Sequence, residues 1–283
     1  MMPELPEVQT ITSDLQKHIK GATIKAIRIE NNFNVSPESS DFKKLLKNTK
    51  IKDIQRVAKN IVIELNSSDF LTTHLAMTGQ ILFRKKDFKP DRWTRVVFDL
   101  EKEGKIGELR YTDMRMFGKV KVIKENAINE LHDKYGPDPI KDNFGHEKLW
   151  EILQSKRTNV KNALLDQKLI AGIGNIYAND ALWMAKIHPE TKTQEVTLPM
   201  SKDLLASIKE ILNESIENRG STLSDKMYVD IFGKMGTHQE NFKIYGRKEC
   251  RRCALPTSFK KLNGRGTYYC DGCQEKDGQE KLL

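Results

Sequence analysis

Apolar and polar positions divide the chain into regimes of different period. Residues 7–20 place Val8, Ile11, Leu15 and Ile19 on one helical face, and Gly21 follows as a stop signal. From about residue 22 to 125 the spacing shortens to β-rich runs: TIKAIRIE, NIVIELN, FLTTHLAM, RVVFDLE and KVKVI. Turn signals such as NSSD and KEGK separate them, and many short strands at this spacing predict a sandwich or barrel. HDKYGPDPIKDNFG (132–145) breaks both periods and reads as a linker. The helical period then returns in HEKLWEILQSK, in VKNALLDQKLI and IYANDALWMAKI on either side of AGIGN, and in SKDLLASIKEILNESIENRG. That last segment aligns Leu204, Leu205, Ile208, Ile211, Leu212 and Ile216. Residues 220–242 are rich in Gly, Ser and Thr with weak periodicity, and read as a long loop. Loops of that length in compact proteins are usually functional or disordered. The pattern therefore predicts an α+β chain: an N-terminal helix with a β-sandwich or barrel domain over 3–131, a linker over 132–148, helices over 149–242 and a final segment over 243–275.

Composition narrows the partners. The chain has 283 residues, enough for about two domains with cores of their own. No stretch approaches the roughly 20 apolar residues of a membrane span, and no apolar leader opens the sequence, so the expected location is cytoplasmic. The formal charge of +9 favours a polyanion as partner, nucleic acid before membrane.

The final segment contains all four cysteines, spaced Cys250-x2-Cys253-x16-Cys270-x2-Cys273. Two CxxC knuckles at this separation fit a zinc template, and four thiolates leave no open coordination position. The expected cofactor is one structural Zn²⁺. Two disulfides are the alternative, which a reducing compartment disfavours. Lys243, Arg247, Lys248, Arg251, Arg252, Lys260, Lys261 and Arg265 outnumber the single acid Glu249 here, as a phosphate-binding hairpin requires.

The first residues carry a second chemistry. In MMPELPEV, removal of the methionines would give Pro3 a free secondary amine beside Glu4. Initiation at Met2 is expected, so that one cleavage exposes Pro3. A chain keeping both methionines would have no amine.

PELPEV, HLAMTG, DMRMFG with GIGNIYANDAL, and YGRKECRRC…GRGTYYCDGCQ occur in an order that resembles the formamidopyrimidine-DNA glycosylase family. The resemblance runs from Pro3 to about Gln274. PELPEV is nearer the oxidised-purine branch than the endonuclease VIII relatives. The resemblance implies a catalytic β-sandwich, a helix-two-turn-helix domain in which 220–242 covers the lesion, and a zinc finger. It implies a monomer that binds damaged double-stranded DNA, excises 8-oxoguanine and formamidopyrimidines through a Schiff base on Pro3, and cuts the strand by β,δ-elimination. An endonuclease VIII-like preference for oxidised pyrimidines is one alternative. A non-enzymatic binder of damaged DNA is another, if Pro3 stays blocked.

By the same resemblance Glu4 moves protons, and Glu7 supports it or serves the positive end of the helix. Lys59 contacts the phosphate beside the lesion. Met77, Arg115 and Phe117 fill the gap left by a flipped base. Asn175 and Arg265 grip the backbone. From its position Asn175 reads as the cap of IYANDALWMAKI. GIGN lacks full G-x-G-x-x-G spacing and follows no strand, which excludes a dinucleotide loop. Met116 stands where the family commonly has a second basic residue.

Overall fold

The computed structural model describes residues 2–274. In chain order these form α1 (Leu5–Ile19), β1 (Thr23–Ile29), β2 (Val35–Ser36), α2 (Ser39–Leu46), β3 (Ile51–Val57), β4 (Asn60–Leu65) and β5 (Phe70–His74). Then follow β6 (Gly79–Lys85), β7 (Thr94–Lys102), β8 (Lys105–Asp113), β9 (Lys119–Ile123) and α3 (Ile128–Asp133). The rest comprises α4 (His146–Gln154), α5 (Val160–Leu165), α6 (Asn175–Met184), α7 (Leu198–Glu217), β10 (Ser258–Leu262) and β11 (Arg265–Tyr269).

The chain divides into two compact units. Among the described residues, one joins 2–133 to 218–239, and the other joins 134–217 to 240–274. In the first unit a four-stranded sheet of order β1-β7-β8-β6 and a five-stranded sheet of order β2-β9-β5-β4-β3 form the sandwich. Their inward residues make one core. Ile61, Ile63 and Leu71 come from the larger sheet, Ile81, Val96, Phe98 and Leu109 from the smaller, and Val8, Ile11 and Leu15 from α1. Helix α1 starts two residues earlier than its periodicity indicated, because Pro6 falls in the first turn, where a missing N–H costs nothing.

The segment 218–239 departs from its expected place. Its position in the chain assigns it to the helical domain, yet it packs with the sandwich. Tyr228 and Ile231 enter the sandwich core. The Phe83 N–H donates to the Ile231 carbonyl at 2.7 Å, and the Gln80 amide donates to that of Met227 at 3.1 Å. Arg219 pairs with both Asp14 and Asp230.

In the second unit α7 packs on α4 and α6, and α6 packs on β11 of the cysteine hairpin. Trp183, Ile244, Cys250 and Cys270 share a small core with Met184 and Tyr268. The buried Asp180 carboxylate accepts the N–H groups of Lys243, Ile244 and Tyr245 at 2.9–3.0 Å and ties α6 to the chain entering the hairpin. Burial raises its pKa against those three donors.

Candidate active site and nucleic-acid interface

In the first unit, Pro3 is buried immediately before α1. Glu4 caps the helix in extended backbone, and Glu4 and Glu7 close a reciprocal capping box. The Glu7 carboxylate accepts the Glu4 N–H at 2.8 Å through Oε2 and the Ser221 N–H at 2.8 Å through Oε1. Both acids are buried, Glu4 to 3% and Glu7 to 0% exposure, far from the solvated position of an ordinary helix-end acid. Glu7 thus fixes Glu4 and the start of the 218–239 segment together. Gly220 makes this approach feasible. Its φ is +78°, and a Cβ there would lie 3.0 Å from Glu7 Cγ and 2.9 Å from the Tyr228 ring.

Lys59 occupies the two-residue turn between β3 and β4, where Ala58 has φ +52°. It is 7% exposed, so it is not a solvated strand-end lysine. The fully buried Arg56 braces the turn, donating to Gln9 Oε1 at 2.9 Å and to the Ala58 carbonyl at 3.0 Å. Burial lowers the pKa of His74, and the charges of Lys59 and Lys119 lower it further.

Met77, Arg115 and Phe117 come together on two adjoining loops. The Arg115 guanidinium lies 4.6 Å from the Phe117 ring centroid, and its Nη1 lies 3.3 Å from Met77 Sδ. The apolar residues of these loops are exposed: Met77 and Met114 by 40%, Met116 by 52% and Phe117 by 56%. Asp113 organises these loops. Its carboxylate accepts the hydroxyl of Thr78 and that of Tyr111 (3.0 Å), and the N–H groups of Arg115 (3.2 Å) and Gly118 (2.9 Å). Gly118 has no room for a side chain, since a Cβ there would fall 1.8 Å from the Tyr111 hydroxyl. Sequence reasoning passed over Asp113; the signal was an acid directly before an exposed apolar turn.

In the second unit the hairpin loop Asn263–Gly264 has φ values of +45° and +75°, as a tight type I′ turn demands, and presents an exposed Arg265. Asn175 is not a cap. Gly174 takes the cap position in extended backbone and Asn175 begins α6. Its Nδ2 instead donates to the Gly266 carbonyl at 3.0 Å. Lys161, also passed over, is fully buried on α5 and donates to the same carbonyl at 3.0 Å and to Thr267 Oγ1 at 2.7 Å. A lysine among Val160, Ala163 and Leu164 was the available signal. Two side chains therefore fix the hairpin beside Arg265. The positive charge of the segment is partly committed: Lys243 pairs with Glu214, Lys260 with Glu190, and Arg252 lies over the Trp183 ring at 4.1 Å.

The four Sγ atoms lie within 4.8 Å of one another, and none forms a disulfide. Cys250 and Cys273 are 3.8 Å apart, Cys253 and Cys270 3.4 Å. Zinc–sulfur bonds of about 2.3 Å in a tetrahedron require sulfurs about 3.8 Å apart, so the donor set fits one such ion. Burial raises the Cys250 thiol, but N–H donors from Arg252 and Trp183 prevail and bring it down to about 6.

The sandwich unit, with its buried Pro3-Glu4-Glu7 cluster, and the helical unit, with its basic four-cysteine hairpin, match the two domains of a class of DNA-repair enzyme. Residues 2–120 match the formamidopyrimidine-DNA glycosylase N-terminal domain, and residues 135–227 match the H2TH domain of the same enzyme. A formamidopyrimidine-DNA glycosylase of Herpetosiphon aurantiacus is 38% identical over 279 residues, covering 96% of this chain and all of the relative. One from Chloroflexus aurantiacus is 36% identical, covering 96% of this chain and 98% of the relative. A point mutant of the Lactococcus lactis Fpg in complex with Fapy-dG DNA superimposes with a TM-score of 0.88 at 32% identity, covering 97% of this chain and all of that one. The L. lactis Fpg bound to DNA with an abasic site gives the same score and identity over 96% of this chain and all of that one. The chain belongs to the formamidopyrimidine-DNA glycosylase family.

Proposed function

We propose that this DNA glycosylase excises oxidised purines, 8-oxoguanine and formamidopyrimidines, from duplex DNA through a Schiff base on Pro3, and then cuts the strand by β,δ-elimination. The observation that carries the reading is the buried Pro3-Glu4-Glu7 cluster, with Glu7 bound to Ser221 of the segment proposed to cover the lesion.

The Pro3 nitrogen attacks the sugar C1′ as the bond from C1′ to the base breaks and the base leaves with a proton. Glu4 protonates the ring oxygen, which opens the sugar to an iminium. The iminium is the electron sink that lets a C2′ proton leave and the 3′ phosphate depart, followed by the 5′ phosphate. A secondary amine suits this role because its iminium is already cationic. Glu7 acts by position: both its oxygens are engaged by backbone N–H groups. Lys59 holds the phosphate beside the lesion. Met77, Arg115 and Phe117 occupy the vacated stack, with Arg115 on the orphaned base. In the second unit, Arg265 grips the DNA backbone and Asn175 supports it. One Zn²⁺ on Cys250, Cys253, Cys270 and Cys273 fixes the hairpin that presents Arg265; its chemistry is structural.

Borohydride trapping on duplex DNA with 8-oxoguanine opposite cytosine tests the reading. A covalent adduct through Pro3 is expected, and its absence from a chain beginning at Pro3 overturns the mechanism. Intact mass measurement establishes that starting residue; a mass retaining Met2 would leave a binder of damaged DNA. Faster release of thymine glycol than of 8-oxoguanine would move the substrate to oxidised pyrimidines.

A further inference from the structure

Three methionines ride on the two wedge loops. Met77 is 40% exposed, Met114 40% and Met116 52%. Of the other described methionines only Met235 is as open, at 56%; Met2, Met184, Met200 and Met227 are partly covered. Met116 stands in left-handed backbone, φ +55°, between Arg115 and Phe117. It also lines a cavity of about 540 Å³ with Asn32, Asn34 and Phe117. Asp113 and Thr78 bind the loops to each other, so the thioethers belong to one surface.

We infer that Met77, Met114 and Met116 form a reversible oxidation site through which peroxide shuts off lesion eviction. In the forward step a methionine sulfur attacks one oxygen of hydrogen peroxide. The O–O bond breaks, an S–O bond forms, and water leaves; sulfur loses two electrons and peroxide gains them. In the reverse step a dithiol reductase takes the oxygen as water and becomes a disulfide.

Two physical changes couple this chemistry to function, a coupling that rests on the wedge reading above. A thioether is a flexible apolar filler, whereas a sulfoxide is polar and no longer fits a stripped base stack. A thioether is also a weak acceptor. Met77 Sδ already lies 3.3 Å from Arg115 Nη1. A sulfoxide oxygen there accepts a charge-assisted bond and holds the guanidinium away from the orphaned base. Strand cleavage at a preformed abasic site needs no base to be evicted, so it is the step least affected.

The experiment is titration of the full protein with hydrogen peroxide, followed by peptide mass mapping and paired rate measurements. Met77, Met114 and Met116 should oxidise as fast as Met235 and ahead of Met184; slower oxidation overturns the site. Excision of 8-oxoguanine should fall by roughly tenfold or more relative to cleavage at an abasic site; an unchanged ratio in fully oxidised protein overturns the coupling. Oxidation of the zinc cysteines is separated by variants. Met235→Leu should keep the sensitivity, while the combined Met77→Leu, Met114→Leu and Met116→Leu variant should lose it; equal sensitivity in both overturns the inference. Methionine sulfoxide reductase should restore the ratio in the oxidised native sequence, and failure to do so once the sulfoxides are gone counts against it. If the untreated protein releases no lesion at all, the proposed function fails, and the mapped sulfoxides alone then decide the site.

Discussion

Glu4 and Glu7 are three residues apart and equally buried, yet their geometry separates them. Glu4→Gln keeps an oxygen for the helix cap but cannot carry a proton. Excision should fall by roughly 10²–10⁴-fold, measured in single-turnover assays, with little change in stability. Glu7→Gln places an amide where two N–H groups converge on two oxygens, so one donor must face another donor. It should cost about 1–3 kcal/mol of unfolding free energy in a denaturant titration. His74 gives a pH signature. Burial, Lys59 and Lys119 hold its pKa below the ordinary value of 6.5 in the fold. Below 6.5 the unfolded chain therefore binds the proton first. The contribution is complete above 6.5 and is lost as pH falls through and beneath that value. The denaturation midpoint should drop between pH 7 and 5, and His74→Gln should flatten that drop.

Elements differ in how plainly they are written. β4, β5 and β9 are runs of β-branched and aromatic residues and were legible. β3 and β8 were not, because they bury charge. Arg110 and Glu108 lie on β8, each about 5% exposed, and satisfy one another with Asp91, a pairing that no local pattern announces. The cysteine site was legible because its spacing is local. The grouping of Met77, Arg115 and Phe117 was legible through resemblance, but the clamp on their loops was not, since Asp113 collects donors from both. Asp113→Asn should loosen both loops at once. Excision of paired 8-oxoguanine should slow by roughly tenfold or more while abasic-site cleavage changes far less. Asp113→Glu should recover little, as the longer acid does not fit a fully buried position. For the hairpin, chelation should release one zinc per chain and weaken DNA binding while leaving the Pro3 amine available to a small aldehyde.

At the scale of the whole molecule, the +9 charge describes the partner better than any single residue does. With several phosphate contacts, affinity should fall by orders of magnitude between about 50 and 200 mM salt. Lys59→Ala and Arg265→Ala should each reduce the slope by about one, as read from binding isotherms at graded salt. The described residues include no helix long and apolar enough to cross a membrane. The interleaving of the units also bears on how the enzyme is made. The first unit opens at the N-terminus but takes Tyr228 and Ile231 into its core and Ser221 onto Glu7. Synthesis runs from the first residue to the last, and domains generally close as their chain emerges. The sandwich is thus complete only after residue 239 has left the ribosome, when most of the second unit has already been made. A nascent or truncated polypeptide ending before residue 218 carries Pro3 and Glu4 without the Ser221 and Tyr228 contacts that finish their surroundings, so the buried cluster closes only after the helices of the second unit have been made.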